Sequence, residues 1–167
     1  IGHSLVGHNM PAMLAQLAGE GHDYASQLGW GATLQSHWEP GIPINGFDQE
    51  NAHDKYRDAH EAVNSGDYNA LVLTEMVEIK AAIAYYDSPK ILHNWTAAAR
   101  DAAMPVYFYE TWHPLDDPEG WRMRLSRDLG TYWEGKIMRP IRGHCSDKRD
   151  HPKKDEFDIV HRKSLTS

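Results

Sequence analysis

The sequence predicts one α/β domain built on a parallel sheet. Strand-like and helix-like segments alternate along it, and the two clearest strand segments, Ala70-Leu71-Val72-Leu73 and Pro105-Val106-Tyr107-Phe108-Tyr109, are apolar throughout. Strands of that kind are covered on both faces, as in parallel sheets, whereas the strands of a sandwich alternate apolar and polar residues. A length of 167 residues suits one domain with its own core and is short for two. The hydrophobic fraction of 41% is that of a globular chain, and the mean hydropathy of -0.65 requires the core to come from short periodic segments.

The first residues, Ile1-Gly2-His3-Ser4-Leu5, read as the end of a strand entering a turn, with the first strand itself expected upstream. Asn9, Pro11 and the apolar Met13, Leu14 and Leu17 predict a helix over residues 9 to 18, closed by Gly19 and Gly21. Asp23 to Leu28 is expected as a strand running into the loop Gly29-Trp30-Gly31-Ala32-Thr33. Pro40, Gly41, Pro43 and Gly46 exclude regular structure between Trp38 and Phe47. Ala52, Tyr56, Ala59 and Val63 recur near the helical period, which predicts a surface helix from Asp48 to Asn64.

Ser88-Pro89 opens a helix in cap-then-proline order and sends Ile91, Leu92, Trp95 and Ala99 to the core. Asp117-Pro118 opens another, with Trp121, Leu125, Leu129 and Trp133 as a core stripe. After Arg139 the chain is rich in Lys, Arg, Asp and His and loses apolar periodicity. Residues 1–141 are therefore expected as the domain and 142–167 as a polar tail, with 142–156 a loop or disordered stretch.

Composition removes several function classes. A net charge of -7 argues against nucleic acid and disfavours acidic substrates, since no basic face is concentrated before residue 139. The lone Cys145 excludes an internal disulfide. No apolar run approaches the roughly 20 residues that span a bilayer, which predicts a soluble chain without a membrane span. The eleven histidines do not fall at zinc-ligand spacings: His53 with His60, and His144 with Cys145 and His151, match no usual pair. No metal and no cofactor is expected.

In open parallel sheets ligands bind at the carboxyl ends of the strands. The unusual residues of this sequence fall there: Ser4 after the first strand, Gly29 to Thr33 after the second, Thr74-Glu75 after the third, Glu110 to His113 after the fourth, and Asp158 to His161 near the end. Ser4 has two readings. It can cap the helix that begins near Asn9, or be a nucleophile exposed on a strand-to-helix turn.

Gly2-His3-Ser4-Leu5, the later Gly31-Ala32-Thr33, and Asp158-Ile159-Val160-His161, in that order, resemble the blocks of the SGNH (GDSL-type) hydrolase superfamily of esterases and lipases. The resemblance implies a flavodoxin-like three-layer α/β/α sandwich with a parallel sheet. It also implies a Ser-His-Asp triad of Ser4, His161 and Asp158, and an oxyanion hole from the backbone of Ser4 and Gly31. The expected substrate is an ester, an acyl or acetyl group on a small molecule or carbohydrate, with Trp30, Glu75, Trp112 and His113 around the pocket. Two positions depart from the pattern. His3 stands where the family has an acid, and Leu73-Thr74-Glu75 offers no asparagine for the third block, so Glu75 must turn away from an oxyanion, be protonated, or serve another purpose. The rival readings are an SGNH scaffold that binds without catalysing and a histidine-rich metal-dependent hydrolase.

Overall fold

The computed structural model describes residues 1–111, 129–139 and 157–160. Five parallel strands appear among them: β1 (Gly2–His3), β2 (Leu28–Gly29), β3 (Leu71–Thr74), β4 (Val106–Tyr109) and β5 (Phe157–Val160). β1 pairs with β2, and β3, β4 and β5 form a second ladder in that order. Ile1 joins the two. Its nitrogen donates to Val72 O at 2.8 Å and its carbonyl accepts Thr74 N–H at 3.0 Å, so the strands lie in the order β2-β1-β3-β4-β5. The close approach of β1 to β3 requires a glycine, because a Cβ on Gly2 would collide with Thr74 Cγ2.

The helices are α1 (Asn9–Ala18), α2 (Leu34–Trp38), α3 (Phe47–Glu50), α4 (Ala59–Ser65), α5 (Ile79–Tyr85), α6 (Ser88–Asp101) and α7 (Leu129–Met138), the last wound as a π-helix. Right-handed crossovers from β1 outward to β2, and then from β2 back past β1 to β3, put α1 on one face of the sheet and the later helices on the other. The core follows that division. Leu71, Leu73, Val106 and Phe108 pack with Leu34, Val63, Ile79, Ala82, Ile91, Leu92, Trp95, Ala99, Trp133, Ile137 and Met138. On the α1 side Val72 is exposed, Tyr107 and Tyr109 are half-buried, and α1 buries no residue, leaving Met13, Leu14 and Leu17 exposed.

Helices α1 and α6 and strands β3 and β4 fall where the sequence puts them, and Ile91, Leu92, Trp95 and Ala99 are all core. Three expectations change. Only Leu28–Gly29 of the segment from Asp23 pairs as a strand, with Ser26 forming a single bridge to Tyr56. The helix expected from Asp48 to Asn64 is two short ones, α3 and α4, because the Asn51 side chain leaves the helical path. Its Oδ1 accepts Leu28 N–H at 2.9 Å and its Nδ2–H donates to Leu28 O at 2.9 Å and Phe47 O at 2.7 Å, a local alternative to the helical ladder. Residues 157–160, expected within a polar tail, form β5 and pair with all of β4. The stretch 142–156, the helix start at Asp117 and the stripe residues Trp121 and Leu125 lie outside the described residues.

Candidate functional site at the carboxyl ends of the strands

The winding direction reverses between β1 and β3, which makes the crevice between their carboxyl ends the place where an open sheet can receive a ligand. Ser4 follows β1 at that point and is exposed on its turn. His3 holds the turn from beneath. Its ring is 2% exposed; Nδ1 accepts Leu5 N–H at 3.3 Å and Nε2–H donates to the Glu75 carbonyl at 3.0 Å, while the His3 carbonyl accepts Val6 N–H at 2.9 Å. Burial lowers its pKa from the ordinary 6.5. With both nitrogens committed, His3 is a neutral strut that shapes the Ser4 turn and has no lone pair left to act as a base.

Glu75 follows β3 on the other side of the crevice, and here the sequence expectation of a pocket residue is corrected. Its side chain is fully buried and points into the fold. Oε1 accepts Leu34 N–H at 3.2 Å and Met76 N–H at 2.7 Å, and Oε2 accepts the Ser88 hydroxyl at 2.7 Å. The carboxyl thus ties the first turns of α2 and α6 to the end of β3. Burial raises its pKa above the ordinary 4.5, and the three donors oppose that rise. Glu75 therefore presents no charge to the crevice.

A second buried network supports β1 from its other side. His37 Nε2–H donates to Gly2 O at 2.9 Å, its Nδ1 accepts from Gln27 Nε2 at 2.9 Å, and Gln27 Oε1 accepts Ala59 N–H at 2.9 Å. Burial drives the His37 pKa down to about 4. This chain fixes the imidazole as neutral, since a proton on Nδ1 would face the Gln27 amide donors.

The register pairs His3 with Gly29, so Ser4 and Trp30 each come one residue after a paired position, on adjacent strands. Trp30 is 50% exposed, and its Nε1–H donates to Glu50 Oε1 at 2.6 Å. Gly31 follows with φ +59 and open space where a side chain would stand, so its backbone is bare toward solvent. Glu50 also reaches the Ser4 turn: its Oε2 lies 3.5 Å from His8 Nε2, and the His8 ring meets His53 edge-on with centroids 4.6 Å apart. His53 Nδ1 accepts Lys55 N–H at 3.2 Å, and its buried Nε2 has no hydrogen-bond partner among the described residues. Glu50 carried no signal in the sequence, because it lies on a four-residue helix and meets its partners only through the fold.

Of the remaining expected site residues, Asp158 is the second residue of β5, in register with Tyr107. It lies two residues before the end of β5, and β3 and β4 stand between β5 and β1, so at about 4.8 Å per strand the backbone holds Asp158 roughly 14 Å or more from Ser4 and does not bring the two together. Trp112, His113 and His161 lie outside the described residues. Glu110, after β4, is half-buried; burial and the neighbouring Glu134 push its carboxyl up to about 7. A cleft of about 680 Å³ is walled by Met10 and Leu14 of α1, Ala59 and Val63 of α4, and Leu28 and Leu71 of the strands, among others; Ser4, Trp30 and Gly31 are not in its walls. Among the described residues no three His, Cys, Asp or Glu side chains converge as a metal site requires. No helix among them is long and apolar enough to cross a membrane. No family model matches this chain, and no curated protein and no solved structure matches it.

Proposed function

We propose that the chain is a serine hydrolase of the SGNH type, with the flavodoxin-like three-layer sandwich of that superfamily, cleaving an ester of a small molecule or carbohydrate. The observation that carries the reading is the position of Ser4: an exposed hydroxyl on the turn after β1, at the point where the strand order β2-β1-β3-β4-β5 reverses direction. In this reading Ser4 Oγ attacks the ester carbonyl, and His161 takes its proton and returns it to the leaving alkoxide; Asp158, inside β5 and three strands from β1, is not placed to orient that imidazole at Ser4. The backbone N–H groups of Ser4 and Gly31 receive the oxyanion; those of Leu5 and Val6 are already committed to His3. Glu75, where the family has asparagine, is internal and so does not repel the developing charge.

That same substitution favours a second reading, an SGNH scaffold that binds its ligand without cleaving it, because one oxyanion donor of the family is lost. A fluorophosphonate probe separates the two. The hydrolase reading expects a covalent adduct on Ser4, abolished by Ser4→Ala and slowed on the order of 10³-fold or more by His161→Ala, since members of one catalytic unit fail together. An unlabelled Ser4 in the folded protein would refute it. Labelling that is indifferent to His161→Ala would refute His161 as the base.

A further inference from the structure

We propose that Trp30 is a fixed stacking platform for a pyranose ring, which makes the substrate of the Ser4 site an acylated carbohydrate; this rests on the hydrolase reading above. An exposed tryptophan ordinarily explores several rotamers. This one is held by both its edge and one face. The indole N–H donates to Glu50 Oε1 at 2.6 Å, and the backbone N–H of Trp30 donates to Asn45 O at 2.8 Å. One ring face lies on Gly46, where a Cβ would fall onto the indole's six-membered ring, with Cε3 only 2.7 Å away. Gly46 has φ +65, so glycine is required there twice over, for its backbone conformation and for the ring above it. Pinned on that side and half exposed overall, the indole presents its remaining surface to solvent.

A rigid neutral plate with polar groups at its rim is complementary to a sugar. The axial C–H groups of a pyranose meet the electron-rich ring face, while its equatorial hydroxyls project outward to hydrogen-bonding groups. The rim offers His8, whose side chain is about half exposed on the chain between Ser4 and α1; Glu50, with one oxygen on the indole and the other 3.5 Å from His8, fixes the two relative to each other. The plate is adjacent to the nucleophile, since Trp30 and Ser4 follow the paired positions Gly29 and His3 on neighbouring strands. A ring lying on Trp30 can therefore turn an O-acyl substituent toward Ser4. A nucleotide would stack on the same face, but its phosphates would approach a chain of net charge -7, which favours the uncharged ring.

The test uses Ser4→Ala protein, which binds without turnover, titrated with mono-O-acetyl xylotetraose and followed by tryptophan fluorescence and saturation-transfer NMR. Saturation should reach the C–H protons of one pyranose face. Adding Trp30→Ala should weaken binding on the order of 10-fold or more, and Trp30→Phe should recover part of it. Glu50→Ala, which frees the indole edge, should weaken binding with Trp30 still present. Equal affinity with and without Trp30, or adenosine binding as tightly as the sugar, would overturn the proposal. The hydrolase reading is scored separately by fluorophosphonate labelling of the unmodified chain: labelling with no Trp30-dependent sugar binding defeats this inference alone. Sugar binding without labelling leaves the platform standing on a protein that does not cleave.

Discussion

Acid should destabilise this fold through His37 before its carboxylates are titrated. The ring is 3% exposed and its nitrogens are matched to Gly2 O and to the Gln27 amide. A proton on Nδ1 would set two donors face to face. Flipping the Gln27 amide relieves that clash only by turning its NH2 toward the Ala59 N–H that its oxygen now accepts. The folded chain thus holds His37 neutral down to about 4, while in the unfolded chain it titrates near the ordinary 6.5. Below that value the unfolded state binds the extra proton, so stability present above pH 6.5 is lost as the pH falls toward 4. Linkage puts the loss at ~2 kcal/mol by pH 5 and ~3 kcal/mol by pH 4, a large share of the 5–15 kcal/mol of a typical domain. The assay is urea unfolding followed by circular dichroism at half-unit steps between about pH 8 and pH 4.5, comparing the chain with His37→Gln. The variant should start less stable and show a shallower acid slope, the difference between the curves approaching one proton. Parallel curves would refute the donor-acceptor argument and leave His37 a spectator.

Two further outcomes follow from buried carboxyls. Glu75→Ala abandons three donors, the N–H groups of Leu34 and Met76 and the Ser88 hydroxyl, at about 1–3 kcal/mol each, whereas Glu75→Gln keeps an acceptor for the amides and a donor for Ser88 and should cost less than half as much. Urea midpoints that fall equally for both would mean that the charge itself matters. Glu110 is raised to about 7 by burial and by Glu134, so the folded chain keeps its proton where the unfolded chain has lost it. Its contribution to stability falls as the pH rises from 4.5 to 7, opposite in sign to that of His37 and weakened by solvent at this half-buried position. Glu110→Gln should flatten the stability profile within that window, and a profile unchanged by the substitution would show that Glu110 titrates alike in both states.

The alternation of apolar strands with helical segments was enough to read the α/β class, because each is a local property of backbone and side chain. Pro89 falls in the first turn of α6 as its order predicts, and the 3.6-residue period fixes which residues enter the core, but Ser88 is not the cap: that position is Asp87, and the Ser88 hydroxyl goes to Glu75. The candidate serine was legible for the same reason, from a glycine and a serine before a helical segment. What lay beyond the sequence was pairing. Phe157–Val160 is a four-residue segment in a polar stretch, too short to be told from loop by its own pattern, and pairing with the edge of β4 makes it a strand. Asn51 interrupts an otherwise helical pattern because the backbone of Leu28, 23 residues away, presents a donor and an acceptor that its amide fits. Glu75 stands where a site residue was expected, yet α2 and α6 each deliver a donor to one buried point, where the neighbouring Met76 N–H adds a third, and a carboxyl there is more stable inside than facing the crevice. Trp30 was visible as an aromatic on a loop. Its fixed orientation depends on Gly46 and Glu50, whose nearness to it is created by the fold, since local sequence sets what each segment can form and only long-range contact selects among those forms.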